Sequence, residues 1–91
     1  MIFLPHALQR MMRSDRMISQ IEVLRVIEEG ILIEDYPEDS RGHSCLILGT
    51  GEAGRAVHVV CAPKDGYLAI ITAYLPDTDI WDDDLSARRE K

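Results

Sequence analysis

Apolar positions in the first third of the chain recur at helical spacing. Across about residues 5–15, Leu8, Met11 and Met12 fall at i, i+3 and i+4, while His6, Arg10 and Arg13 line a neighbouring stripe. Pro5 suits the first turn, where its missing N–H costs nothing. A second helix is better marked. Ser19 followed by Glu22 makes a capping box, Ile18 can staple onto Val23, and Gly30 is a natural stop after Glu28 and Glu29. Its expected core face is Val23, Leu24 and Ile27. The link, residues 14–18, is short, so the helices are expected to form a compact pair.

Beyond Gly30 the pattern becomes that of strands. Residues 31–36 form the first, stopped by Pro37 and the polar loop 38–42. Residues 44–48 follow, then the glycine-rich turn 49–54. Residues 56–62 and 67–74 are apolar on both faces, as central strands are, and flank the turn 63–66. Short connections predict an α+β fold: two N-terminal helices packed on one face of a mainly antiparallel four-stranded sheet. Trp81 is expected to tuck a short acidic tail, residues 82–91, against a core of about residues 6–81. If 63–66 is a four-residue loop, Ala62 pairs with Tyr67 and His58 with Ile71, which separates His58 from Thr72 and Tyr74. A one-residue bulge in that loop reverses the outcome. Both registers are open at this point.

Composition narrows the class. The chain has 91 residues, enough for one domain, with 46% hydrophobic and 29% charged residues, as expected of a globular chain. No apolar stretch nears the roughly 20 residues that span a bilayer, and the N-terminus lacks the features of a signal peptide. Two cysteines, Cys45 and Cys61, are too few for a disulfide scaffold and are read as small core residues. The expectation is a cytoplasmic protein with reduced thiols. The net charge of −6 disfavours a nucleic-acid partner at first sight. It is unevenly spread, however. Residues 31–40 and 77–84 hold nine of the 16 acids and no base, leaving ten bases against seven acids, or +3, elsewhere.

Familiar sites are absent: there is no P-loop, zincin or nucleophile-elbow motif. Gly49-x-Gly51-x-x-Gly54 joins two strands, whereas a dinucleotide site needs a helix there. Asp82, Asp83 and Asp84 could attract a divalent cation, yet adjacent carboxylates in a tail read as a solvated acidic face. The remaining polar residues suit metal-free RNA cleavage. That chemistry needs a base for the 2′-OH, an acid for the 5′-oxygen and cations for the phosphorane-like transition state. His6, His58 and Tyr74 are the acid–base candidates. Arg10, Arg16, Arg55 and Thr72 are the substrate-binding ones, with no metal or other cofactor expected. Each also has a bland reading, as a sheet histidine, a packed strand-end tyrosine or a solvated helix face.

The order of residues resembles a known family. His6-Ala7-x-x-Arg10-Met11, Arg16-x-Ile18-Ser19 and Gly30-x-x-Ile33-Glu34-x-Tyr36-Pro37 resemble the opening of the DUF4258 family of small bacterial proteins. Leu46-x-Leu48-Gly49, Arg55-x-x-His58-Val59-Val60 and Ile71-Thr72-x-Tyr74-x-Pro76-Asp77 continue the match to about residue 81. Leu4 departs from the family's usual Ser or Thr two residues before the histidine. The resemblance implies a relation to RelE/ParE-like toxins of type II toxin–antitoxin systems. It further implies metal-independent cleavage of messenger RNA, free or on the ribosome, and a cognate antitoxin of the MqsA zinc-finger type. The alternatives are a non-catalytic protein-binding module, which would use the open sheet face or the acidic patches, and a degenerate toxin relative.

Overall fold

The computed structural model describes residues 1–40 and 42–88. The expected polar loop includes residue 41 and the expected tail includes residues 89–91, positions outside the described residues. The elements are β1 (Ile2–Phe3), α1 (Pro5–Met11), α2 (Gln20–Glu29), β2 (Ile31–Tyr36), β3 (Ser44–Thr50), β4 (Ala56–Lys64) and β5 (Tyr67–Tyr74), with a 3₁₀ turn at Glu52–Gly54. The class is α+β with two helices, as expected. The sheet differs from the expectation of four antiparallel strands: it is five-stranded and mixed, in the order β1-β5-β4-β3-β2. The additional strand, β1, runs parallel to β5 with Ile2 opposite Ala69 and Phe3 opposite Ile70. Two residues are too few to show an alternating pattern, so the sequence carries no signal for it.

Pro5 does open α1, but the helix ends at Met11, short of residue 15. The chain turns back there: Met17 takes φ +49°, and the Ile18 amide donates to the Met11 carbonyl at 2.8 Å. In α2 the Ser19 hydroxyl accepts from the Glu22 amide at 3.1 Å, as the cap requires. The face that packs inward is rotated from the expected one. It carries Glu22, Val23 and Val26, while Leu24 is 38% exposed. Rather than packing mainly on each other, α1 lies over β5 and α2 over β3 and β4. Between helices and sheet sit Ala7, Met11, Val23 and Val26 against Val57, Val59, Cys61, Ile70 and Ala73.

The β4–β5 hairpin settles the register. Its turn is only Asp65–Gly66, with Gly66 at φ +81°, so β4 runs on through Pro63 to Lys64 and pairs Lys64 with Tyr67. Ala62 therefore faces Ala69 rather than Tyr67. A bulge then falls inside β5, not in the loop: Cys61 faces Ile70, Val60 faces Thr72, and Ile71 is the extra residue. The consequence is that His58 pairs with Tyr74, not Ile71. Both point away from the helices, on the face that also carries Leu46, Val60 and Thr72. Residues 77–88 fold over this second face, with Trp81 only 2% exposed and bridged to Arg88. Among the described residues no helix is long and apolar enough to cross a membrane.

Candidate functional site

His58 lies at the centre of the second face and is fully buried. Its Nε2 is 2.8 Å from the Leu85 carbonyl and its Nδ1 is 3.3 Å from the Tyr74 hydroxyl. A carbonyl only accepts, so the Nε2–H donates to it. In the neutral ring Nδ1 then accepts from the Tyr74 O–H. Burial holds the imidazole below its ordinary pKa and so favours that neutral form, although the Leu85 contact acts in the opposite sense. Trp81 meets the ring edge-on at 4.4 Å between centroids. Leu85 adopts φ +61°, a left-handed conformation that costs a non-glycine residue roughly 1–2 kcal/mol, and its carbonyl is the one that meets His58.

Tyr74, half-buried beside His58, borders a hollow of about 290 Å³ whose rim includes Asp15, Arg16, Asp77, Trp81 and Arg88. Arg16 reaches over the part of β5 that β1 leaves uncovered. Its guanidinium donates to the Ala73 carbonyl at 3.0 Å and lies 3.5 Å from the Thr72 hydroxyl. Arg88 stacks on Trp81 at 4.7 Å and pairs with Glu34, Nε to Oε2 at 3.3 Å. Glu34 also accepts from the Tyr36 hydroxyl. Burial raises the pKa of both Tyr36 and Tyr74, so both phenols stay protonated near neutrality. The hollow thus combines two guanidinium groups with a histidine-backed phenol, balanced by two aspartates.

Of the residues singled out from the sequence, His58, Tyr74, Thr72 and Arg16 come together here. Arg55 does not face the hollow. Its Nε and one terminal nitrogen hold the buried Glu22 carboxylate at 2.8 and 2.6 Å. The same guanidinium donates to the carbonyls of Arg16 and Met17 at 3.1 and 2.9 Å. This use of the group is structural: it ties the β3–β4 loop to the start of α2 and to the interhelix link. His6 and Arg10 stand exposed on α1, and no hydrogen bond among the described residues joins them to the hollow. Three members of the cluster were not singled out: Glu34, Tyr36 and Arg88. Glu34 and Tyr36 did carry a signal, being two apart on a strand and so on one face. Arg88 carried none.

Among the described residues no three His, Cys, Asp or Glu side chains gather as a metal-ligand set. Comparison with curated proteins and with solved structures returns no match. Residues 3–75, which run from β1 to just past Tyr74 and leave out the covering segment 77–88, match one family model, and the chain belongs to that family, DUF4258, a domain of unknown function.

Proposed function

We propose that the hollow beside Tyr74 binds a single-stranded RNA phosphodiester and cleaves it without a metal ion. The reading follows the RelE/ParE-like toxins, with an MqsA-type zinc-finger antitoxin as cognate partner. The observation that carries it is Tyr74, whose hydroxyl bonds to the buried neutral His58 and which lines one hollow with Arg16 and Arg88. The Tyr74 oxygen accepts the proton of a ribose 2′-OH as its own proton passes to Nδ1 of His58. The 2′-oxygen then bonds to phosphorus and the P–O5′ bond breaks. This leaves a 2′,3′-cyclic phosphate and a 5′-oxygen that takes a proton from water, and the hydroxide so formed takes up the extra proton from His58 and restores the neutral ring. Arg16 and Arg88 stabilise the charge on the transition state, and Thr72 positions Arg16. Arg10, exposed on α1, and Arg13, exposed just beyond its end, extend the basic track for the flanking strand.

The test is incubation of the purified protein with RNA in EDTA, with the ends analysed for cyclic phosphate. Cleavage is expected from the native chain and at least about a hundredfold less from Tyr74→Phe and His58→Gln at unchanged helix content. Intact RNA at high protein concentration overturns the reading.

A second reading, protein binding without catalysis, is favoured by a different surface. Leu8, Met11, Met12, Ile18 and Ile21 line an apolar groove of about 520 Å³ where α1 meets α2. Of these, Met12 and Ile21 are 67% and 70% exposed. A contiguous apolar patch of this kind is a common mark of a partner surface. Ile21→Asp separates the readings: it abolishes complex formation under this one and leaves cleavage intact under the first.

A further inference from the structure

Cys45 on β3 and Cys61 on β4 stand directly opposite each other in the antiparallel ladder, and their sulfur atoms are 3.5 Å apart. Both are free thiols. Cys61 lies fully inside the helix-facing core, whereas Cys45 is half-buried at its margin. Opposed residues in such a ladder have Cα atoms about 4.5–5.5 Å apart, inside the span that a disulfide bridges. Small rotations of the two side chains bring the sulfurs from contact to the bonded distance of about 2.05 Å, with the strands in place.

We propose that this pair is a modification site at which hydrogen peroxide forms a reversible cross-strand disulfide. The inference does not depend on the RNA reading. Cys45 reacts first because it alone meets solvent. The Cys61 thiol, pushed up to about 12 by burial, remains protonated and inert towards peroxide. The Cys45 thiolate attacks one peroxide oxygen and the O–O bond breaks. This gives a sulfenic acid and a hydroxide ion, which takes up the proton that Cys45 had released. The Cys61 sulfur then attacks the Cys45 sulfur. An S–S bond forms, the S–O bond breaks, and the departing hydroxyl leaves as water with the Cys61 proton. Two thiols are oxidised and one peroxide is reduced to two waters. Peroxide is the fitting oxidant because it is small enough to reach a half-buried thiol.

The bond would close the β3–β4 hairpin around residues 45–61, the segment that carries Arg55 and His58. Because it restricts the unfolded chain, it should raise the melting temperature by on the order of 10 °C. The experiment treats the folded chain with peroxide, alkylates it in denaturant, and digests it with trypsin without reduction. Cleavage after Arg41, Arg55 and Lys64 puts the two cysteines on peptides 42–55 and 56–64. The expected result is one joined peptide that dithiothreitol separates, a chain lighter by two hydrogen atoms, and a raised melting temperature. In Cys61→Ser, Cys45 should instead gain oxygen. Two alkylated thiols after treatment overturn the proposal, as does Cys45 sulfinic acid in the native chain or a disulfide-linked dimer. These readouts on the native chain decide the matter even if Cys61→Ser does not fold.

Discussion

Glu22 has a side chain with no exposure to water, so its charge must be met within the fold, and Arg55 and the Glu52 amide meet it. The fit is close. A Cβ on Gly51 would lie 1.9 Å from the Glu22 carboxylate, so this site requires glycine for space rather than for φ. Breaking a buried pair strands a charge, and Arg55→Met is expected to cost about 3 kcal/mol by urea unfolding. Gly51→Ala, by pushing the carboxylate aside, should act in the same direction. An Arg55 variant that loses activity therefore has to be judged beside its stability. The pair also has a pH signature. The Arg55 hydrogen bonds are the main reason the Glu22 carboxyl titrates below its usual 4.5, so their contribution is present above that pH and is lost as pH falls below it. His58 acts in a separate window. Burial lowers its folded pKa below 6.5, so on acidification the unfolded chain takes up a proton near 6.5 while the folded chain does not. Stability should therefore begin to fall near pH 6.5. His58→Gln should remove that first limb and Glu22→Gln the second, as read from urea midpoints across pH. At this scale the sequence was half legible. The Ser19–Glu22 spacing marked the cap, and the amide did find the hydroxyl. Where the carboxylate went depended on a loop thirty residues away, which no local pattern encodes.

The meeting of His58 and Tyr74 is decided within an element, by one extra residue. From the Asp65–Gly66 turn, a regular ladder would set His58 opposite Ala73 and put Tyr74 on the helix side. The bulge at Ile71 moves the partner to Tyr74, and it also keeps Ile70 and Ala73 together in the core. Deleting Ile71 is thus expected to turn Tyr74 inward and Ala73 outward. The nuclear Overhauser contact between the His58 and Tyr74 rings should vanish, and stability should fall by about 3 kcal/mol through core overpacking. A contact that survives the deletion would show that the register is held by something else. The two helices and strands β2 to β5 were readable from periodicity, capping and turn residues, because those forces act between near neighbours; the two-residue β1 was not. The bulge was not, because β5 is apolar on both faces and its sequence fits either register. The length of α1 was misjudged for a related reason: Met12 and Arg13 continue the helical stripe, but the chain leaves it where Met11 accepts from Ile18.

Over the whole molecule, the acidic stretch beyond β5 is not a free tail. Residues 77–88 lie across the second sheet face, held by contacts that include Trp81 on His58, the Leu85 carbonyl on Nε2, and Arg88 on Glu34. One basic residue anchors a segment that carries five aspartates, of which Asp77 lines the hollow and places negative charge beside the two guanidinium groups. Trp81 was legible as an anchor because a single tryptophan among aspartates has nowhere else to bury. Its target was not, since that target is a histidine on a strand more than twenty residues back. The segment's hold on His58 is measurable without assuming any activity. Trp81→Ala removes the ring that excludes water from the imidazole, so the His58 pKa should rise towards 6.5 in an NMR titration, and diethyl pyrocarbonate should modify the ring in the folded state. The cost in stability is about 3–5 kcal/mol. Trp81→Phe, which keeps part of the cover, should fold more readily and fall between the two in pKa and reactivity. A His58 that titrates unchanged in both variants would mean that the sheet alone, and not the covering segment, sets its protonation.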